Sequence, residues 1–386
     1  MRRKLTLAST VAVSLVVLAG STVLAGERAG SPQFGSLSKI GKTAKDIHDL
    51  EMTDEDEQKI GAQVSARIRQ RYGVVQDAAV TKYVTLVGDV LAAKSERPGL
   101  PWKFIVLDTD GVNALAAPGG YVHITRGALA LMTSEAQLAG VLGHELIHIT
   151  EKHTIRAIQK GKAIQMGTNE TLSNSPALLN KFVDKATDAV MAGFGRGEEL
   201  EADEKGIVVA SKAGYDPKGL GAFLAALEDR NKNSTTKQGL FASHPEMDER
   251  LKKLDAEIKT QKLAGAVVLD ARFHENITYK PTPIAAVTTV EKGSAGIAGD
   301  SGKSDSSGSG DKAADDGTKK KKGGFGLSKL TGSGGGEQKS AEVTGSGAAR
   351  GVDSERNAKG GPNPNPVIVK VTAAELVAFK KDGKLS

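Results

Sequence analysis

The chain has 386 residues, 39% hydrophobic and 25% charged, with 46 glycines, no cysteine and a formal net charge of +6. The missing thiols exclude disulfides, thiolate metal sites and cysteine nucleophiles, so any metal must be held by His, Asp or Glu. A charge excess this small over this length gives no reason to expect a nucleic-acid partner.

The N-terminus opens with the basic stretch MRRK, then an apolar run from Leu5 and small residues around Ala25. That pattern predicts an export signal over residues 1–25, with a retained membrane anchor as the alternative. Residues 26–50 read as a linker and 51–262 as the folded domain. Thr53, followed by four acids, predicts a helix start, and Ile60, Val64 and Ile68 recur on one face. Val80, Tyr83, Val84, Val87 and Leu91 mark the inner face of a second helix. WKFIVLDTD reads as a strand, GVNALAAPGG as turn and loop, and YVHITRGAL as a second strand entering a turn at Gly127.

Ser134 predicts the N-cap of the strongest helix, which carries HELIH and runs on towards His153. Residues 161–180 break the periodicity with Gly, Asn, Ser and Pro and read as a loop or short helix over a cleft. Helical pattern then returns to about residue 262, including GEELEADEKG, with Gly214 as a stop. Residues 263–289 read as a further strand segment and 290–365 as a disordered Gly/Ser/Lys-rich linker. Residues 366–386 form a short segment with a capping-box pattern at Thr372 and Glu375.

Three of the seven histidines fall between His144 and His153. Residues four apart share a helix face, so His144 and His148 project side by side as two imidazole ligands suited to zinc. Glu145, one step round, is placed to act as a general base beside the metal. A third ligand must come from another element, because His153 on a continuing helix would point elsewhere. Glu199 is the candidate, with Glu198, Glu201 and Glu204 as competitors on the same helix. Asp203, one turn on from Glu199, could accept a hydrogen bond from a ligating histidine. His153 reads as a packing or surface residue.

Four stretches in this order and spacing carry a resemblance to a known family: 112–129, 134–153, 199–203 and 243–250. The chain resembles the zinc metallopeptidases of the HtpX and CAAX-prenyl-protease type, in pattern nearest to their periplasmic BepA- and LoiP-like branch. The resemblance covers about residues 50–255. It implies a mainly helical α+β fold of zincin-like (minigluzincin) type, with a small sheet over the HExxH helix.

It also implies one Zn2+ per chain on His144, His148 and Glu199, with Glu145 as base and Asp203 in support. By the same resemblance, Gly120, Tyr121, Val122, His123 and Ile124 fall on the edge strand that binds peptide substrate. His244 falls near the metal, where it would stabilise an oxyanion or occupy the open metal position; its bland reading is a His-Pro turn.

The expected function is that of an exported, periplasmic endopeptidase acting on envelope or misfolded polypeptides, with membrane association through an uncleaved N-terminus or the tail. The alternative is a latent scaffold acting as a chaperone or assembly factor. The family's multi-span membrane region and its helical-repeat domain have no counterpart in this sequence.

Overall fold

Thr53 and Asp77 begin the first two helices as capping chemistry requires. The Thr53 hydroxyl accepts the Asp56 N–H, and the Asp77 carboxylate accepts those of Ala79 and Val80. In the computed structural model these helices are α1 (Asp54–Tyr72) and α2 (Ala78–Ala92). The structure describes residues 45–46, 52–160, 165–166, 172, 175–232, 247–284, 287 and 363–386. All of these lie in one unit, Ala44–Ser386. The expected signal and most of the two linker segments lie outside the described residues.

Three strands follow α2: β2 (Lys103–Leu107), β3 (Ala114–Ala117) and β4 (Tyr121–Thr125), in the order β2-β4-β3. β4 is parallel to β2 and antiparallel to β3. A two-residue pairing of β1 (Lys45–Asp46) with β5 (Gln165–Met166) stands apart from this sheet. The sheet is covered on both faces. Phe104, Val106, Ala114, Ala116, Val122 and Ile124 join the core beneath α2 and α4 (Glu135–Thr150). Ile105, Leu107, Leu115 and Ala117 join the core beneath α1 and α6 (Pro176–Ala192). Alternate side chains therefore feed two helical layers, the pattern of a strand buried on both sides.

Several expectations change here. GVNALAAPGG contains strand β3, although alanine is a poor strand former; pairing with β4 across the Pro118-Gly119-Gly120 turn supplies what propensity lacks. Gly119 and Gly120 both have positive φ, and the Gly119 N–H donates to Glu57 Oε1 at 3.0 Å. Gly127 lies inside the short helix α3 (Arg126–Leu131), not in a turn, because the Thr125 hydroxyl caps that helix through the Ala128 N–H. α6 starts at Pro176, within the stretch read as a loop or short helix, and runs on beyond it.

The remaining elements are α5 (His153–Lys160), α7 (Arg196–Lys212), α8 (Gly219–Asn231), α9 (Met247–Thr260), α10 (Asp270–Asn276) and α11 (Ala373–Asp382). Among its described residues, the segment read as a further strand at 263–289 instead holds helix α10, with a single bridge between Val267 and Tyr215. Leu269 adopts a left-handed conformation just before α10, which ends the extended run.

The last described segment returns to the body. Asn363 O accepts the Val74 N–H at 2.7 Å, and Asn365 O accepts from the Gln76 side chain. α11 has both halves of its predicted capping box, Leu376 and Phe379 pack on the main core, and the Ser386 N–H reaches Ala213 O at 3.0 Å. Among the described residues no helix is long and apolar enough to cross a membrane.

Candidate metal centre

α4 is apolar almost all round, and every residue from Glu135 to Ile149 is buried. Ser134 begins it by accepting the Gln137 N–H. Its most extensive neighbour is α7. The two helices meet where neither carries a side chain. A Cβ on Gly206 would lie 2.9 Å from the His144 backbone N, and one on Gly143 would lie 2.9 Å from Gly206 O. This close backbone approach lets residues on two helices converge on one point.

His144, His148 and Glu199 are that point: their candidate ligand atoms all lie within 4.8 Å of one another, and all three residues are buried. The two Nε2 atoms are 3.0 Å apart, and Glu199 oxygens lie 3.6 Å from each. The competing acids do not share this position. Glu198 is paired with Lys160, and Glu201 meets His153, Arg156 and Lys205. Glu204 lies towards Gln261.

The outer faces of the rings assign their protons. His144 Nδ1 is 2.9 Å from Asp203 Oδ1. Burial alone would raise the Asp203 carboxyl, but the Arg250 charge and hydrogen bonds from Arg250 and His144 outweigh it and hold it well below the usual range. An ionised carboxylate only accepts, so His144 carries its proton on Nδ1. His148 Nδ1 is 2.7 Å from His153 Nδ1, and His153 Nε2 is 3.2 Å from Glu201 Oε2. Burial lowers the His153 pKa, against the raising effect of Glu201, so its ring is neutral. Glu201, drawn down to about 2 by Lys205, Arg156 and His153 despite burial, is the acceptor of the His153 Nε2 proton. His153 Nδ1 is then the acceptor for His148 Nδ1–H.

Both inner Nε2 atoms therefore present lone pairs towards each other and towards a carboxylate. Such a convergence of electron-rich atoms fits a cation, and two imidazoles with one carboxylate suit zinc.

Glu145 is buried beside this cluster, within electrostatic reach of Arg250. Arg250, on α9, is only 2% exposed. Its Nε and Nη2 each donate to Asp203 at 2.7 Å, and its Nη1 lies 3.4 Å from Glu199 Oε2. Arg250 closes the 243–250 stretch, and nothing in its local sequence marks it for a role at this site. Its single positive charge is shared between two buried acids, Asp203 and Glu199, a partnership between helices that no local spacing reveals.

His153 is buried, in keeping with a packing residue, but the helix expected to run on to it is broken. α4 ends at Thr150, Lys152 takes a positive φ of 54°, and a new helix begins at His153. The break brings a fully buried His153 against His148. Phe194, in the α6–α7 connection, stacks on His148 with ring centroids 4.2 Å apart.

The expected substrate strand requires correction. Residues Tyr121, Val122, His123 and Ile124 form the central strand, paired on both sides, so neither edge can take a peptide. Gly120 belongs to the turn before it, and its carbonyl accepts the Lys103 N–H. His123 faces α1, where Nε2 meets Ser65 Oγ at 2.9 Å and Nδ1 meets Leu115 O at 3.2 Å. Burial pushes its pKa down to about 3, so it is a neutral packing residue. The strand at the sheet edge beside α4 is β3. His244 lies outside the described residues.

Residues 78–258 match the family model of peptidase family M48. Among curated proteins, the chain is 27% identical over 251 residues to the beta-barrel assembly-enhancing protease of Yersinia pestis, covering 62% of this chain and 51% of that one. It is 28% identical over 169 residues to the metalloprotease YcaL of Escherichia coli (strain K12), covering 42% and 65%. It is 31% identical over 133 residues to the mitochondrial metalloendopeptidase OMA1 of Arabidopsis thaliana, covering 33% and 26%. The chain spans about half the length of the assembly-enhancing relatives it matches.

Proposed function

Through residues 78–258 this chain belongs to peptidase family M48, and on that premise we propose that it is an exported zinc-dependent endopeptidase acting on envelope or misfolded polypeptides. The observation that carries the reading is the buried convergence of His144, His148 and Glu199 from two helices, with Glu145 next to the first. In this reading those three residues hold the metal, which supplies positive charge to activate water and polarise a peptide carbonyl. Glu145 takes the proton from the attacking water and returns it to the leaving amine. Asp203 and Arg250 hold His144 and Glu199 in place, and the protonated Nδ1 atoms keep both ring lone pairs turned inward.

Substrate would lie extended along β3, adding a strand to the sheet beside α4. β3 is buried in the structure, with α6 and α4 against it, so pairing requires some of its cover to shift. The leader-like residues 1–25 support export, and either an uncleaved N-terminus or the tail would give membrane association.

The test is Glu145→Gln. It should retain zinc and lose digestion of an unfolded protein such as casein by about 10²-fold to 10⁴-fold. Normal digestion by that variant sinks the assignment.

The closed site also favours a second reading. His144, Glu145, His148 and Glu199 are all almost inaccessible, and several matched relatives are named for enhancing β-barrel assembly. The protein would then serve chiefly as a latent scaffold for envelope proteins. Rescue of a deletion phenotype by the inactive Glu145→Gln protein would select that reading.

A further inference from the structure

We propose that His153 is a positioning residue for the metal centre, fixing the ring of His148 through an imidazole-to-imidazole hydrogen bond that is anchored on Glu201. The inference rests on the metal reading above. Ligating histidines are ordinarily oriented by a carboxylate or carbonyl on their outer nitrogen. His144 follows that pattern with Asp203 at 2.9 Å. His148 has at its Nδ1 a second imidazole at 2.7 Å instead. An imidazole can be acceptor or donor there, so by itself it does not dictate which His148 nitrogen faces the metal.

Glu201 removes that ambiguity. Its Oε2 lies 3.2 Å from His153 Nε2, and the same carboxylate takes Arg156 at 3.0 Å and Lys205 at 2.8 Å. Glu201 draws the His153 proton to Nε2, His153 Nδ1 becomes an acceptor, and His148 must donate from Nδ1. The His148 lone pair is thereby turned towards His144 and Glu199. A carboxylate thus acts on the ligand at one remove.

The backbone is built for this contact. Lys152 holds a left-handed conformation that a non-glycine residue adopts at some cost. Only Glu151 and Lys152 separate α4 from α5, and the left-handed Lys152 brings the buried His153 against His148 of the preceding helix. Phe194 packs against both rings, at centroid distances of 4.2 and 5.7 Å, and limits their rotation.

The test compares His153→Phe, which keeps a ring without nitrogen, with His153→Asn, whose side-chain oxygen can occupy the Nδ1 position. Zinc dissociation constants are measured by chelator competition, and stability by urea unfolding of the metal-free protein. His153→Phe should bind zinc about 10- to 100-fold more weakly while its metal-free form unfolds near the wild-type midpoint. His153→Asn should recover most of the loss. Wild-type affinity in His153→Phe, or equal loss in both folded variants, overturns the proposal.

Nitrogen-15 spectra of the metal-free wild-type protein give a readout that needs no variant. His148 should show a protonated Nδ1 and a bare Nε2, and the reverse tautomer overturns the proposal even if a variant fails to fold. Wild-type protein that binds no zinc would sink the metal reading instead, a result separate from the ring tautomer.

Discussion

α4 carries a buried polar cluster near each end, and the two are built on opposite principles. At its start, Glu135 is fully buried and accepts from Tyr83 Oη at 2.8 Å, Tyr215 Oη at 2.7 Å and Arg272 Nε at 2.8 Å, with Arg272 Nη2 as a further partner. Arg272 continues to Phe379 O at 3.0 Å and lies over the Phe379 ring. Donors point at acceptors, and the acid's charge is matched by one guanidinium. Towards the other end, His144, His148 and Glu199 turn acceptors towards one another. Burial and charge are common to both clusters, so neither property marks a site. What separates them is that one is complementary within itself and the other is complementary to a cation.

The largest test of this contrast is Glu135→Leu. It leaves the half-buried Arg272 guanidinium with only the exposed Asp382 carboxylate, and the Tyr83 and Tyr215 hydroxyls without their acceptor, which should cost about 1–3 kcal/mol of unfolding free energy, read by urea denaturation. The zinc affinity of the folded protein should stay near wild type; a matching loss of affinity would mean that the two ends are not separable.

Asp203→Asn should act on the other cluster, weakening zinc binding about 10- to 100-fold and lowering stability at neutral pH. The folded Asp203 carboxyl is held below its ordinary value of 3.8 by Arg250 and His144 against the opposing effect of burial. Its stabilisation is therefore complete above that value and lost as pH falls through the folded one. The stability gap between wild type and variant should begin to narrow below about pH 4, and a constant gap from pH 7 to pH 3 would contradict the assignment.

The finest probe is Gly206→Ala, which touches no candidate ligand side chain. Its methyl would meet the His144 backbone, so α4 and α7 must separate at a cost of about 1–3 kcal/mol. Zinc affinity should fall through spacing alone, and unchanged affinity would show that the crossing does not set the site.

Much of the helical scaffold could be read in advance because its signals are local. Thr53, Ser134 and Thr372 cap as their side chains predict, and the spacing of His144 to His148 puts them on one face wherever the helix lies. The misreadings share a different origin. Ala114–Ala117 is a strand because β4 lies beside it, and β4 is central because β3 exists; neither fact is carried by its own residues. His153 was assigned to a continuing helix, and one left-handed residue, Lys152, undid that. Arg250 sits 47 residues from the aspartate it serves, a distance over which composition and periodicity are silent. Side-chain partners across helices are fixed by packing, so the part of the site that supports the ligands was less visible than the ligands.

The return of residues 363–386 to the body has a consequence for how this protein assembles. Asn363 bonds Val74, which bridges to Leu107 at the end of β2, Phe379 of α11 packs on Arg272 and Tyr83, and Ser386 meets the end of α7 at Ala213. The final segment belongs to the same covalent chain as the body it docks on, so its docking is intramolecular. Cutting the chain between them would convert one folding reaction into an association of two molecules. Stability of the docked segment would then fall on dilution, because the effective concentration supplied by the covalent link would be gone.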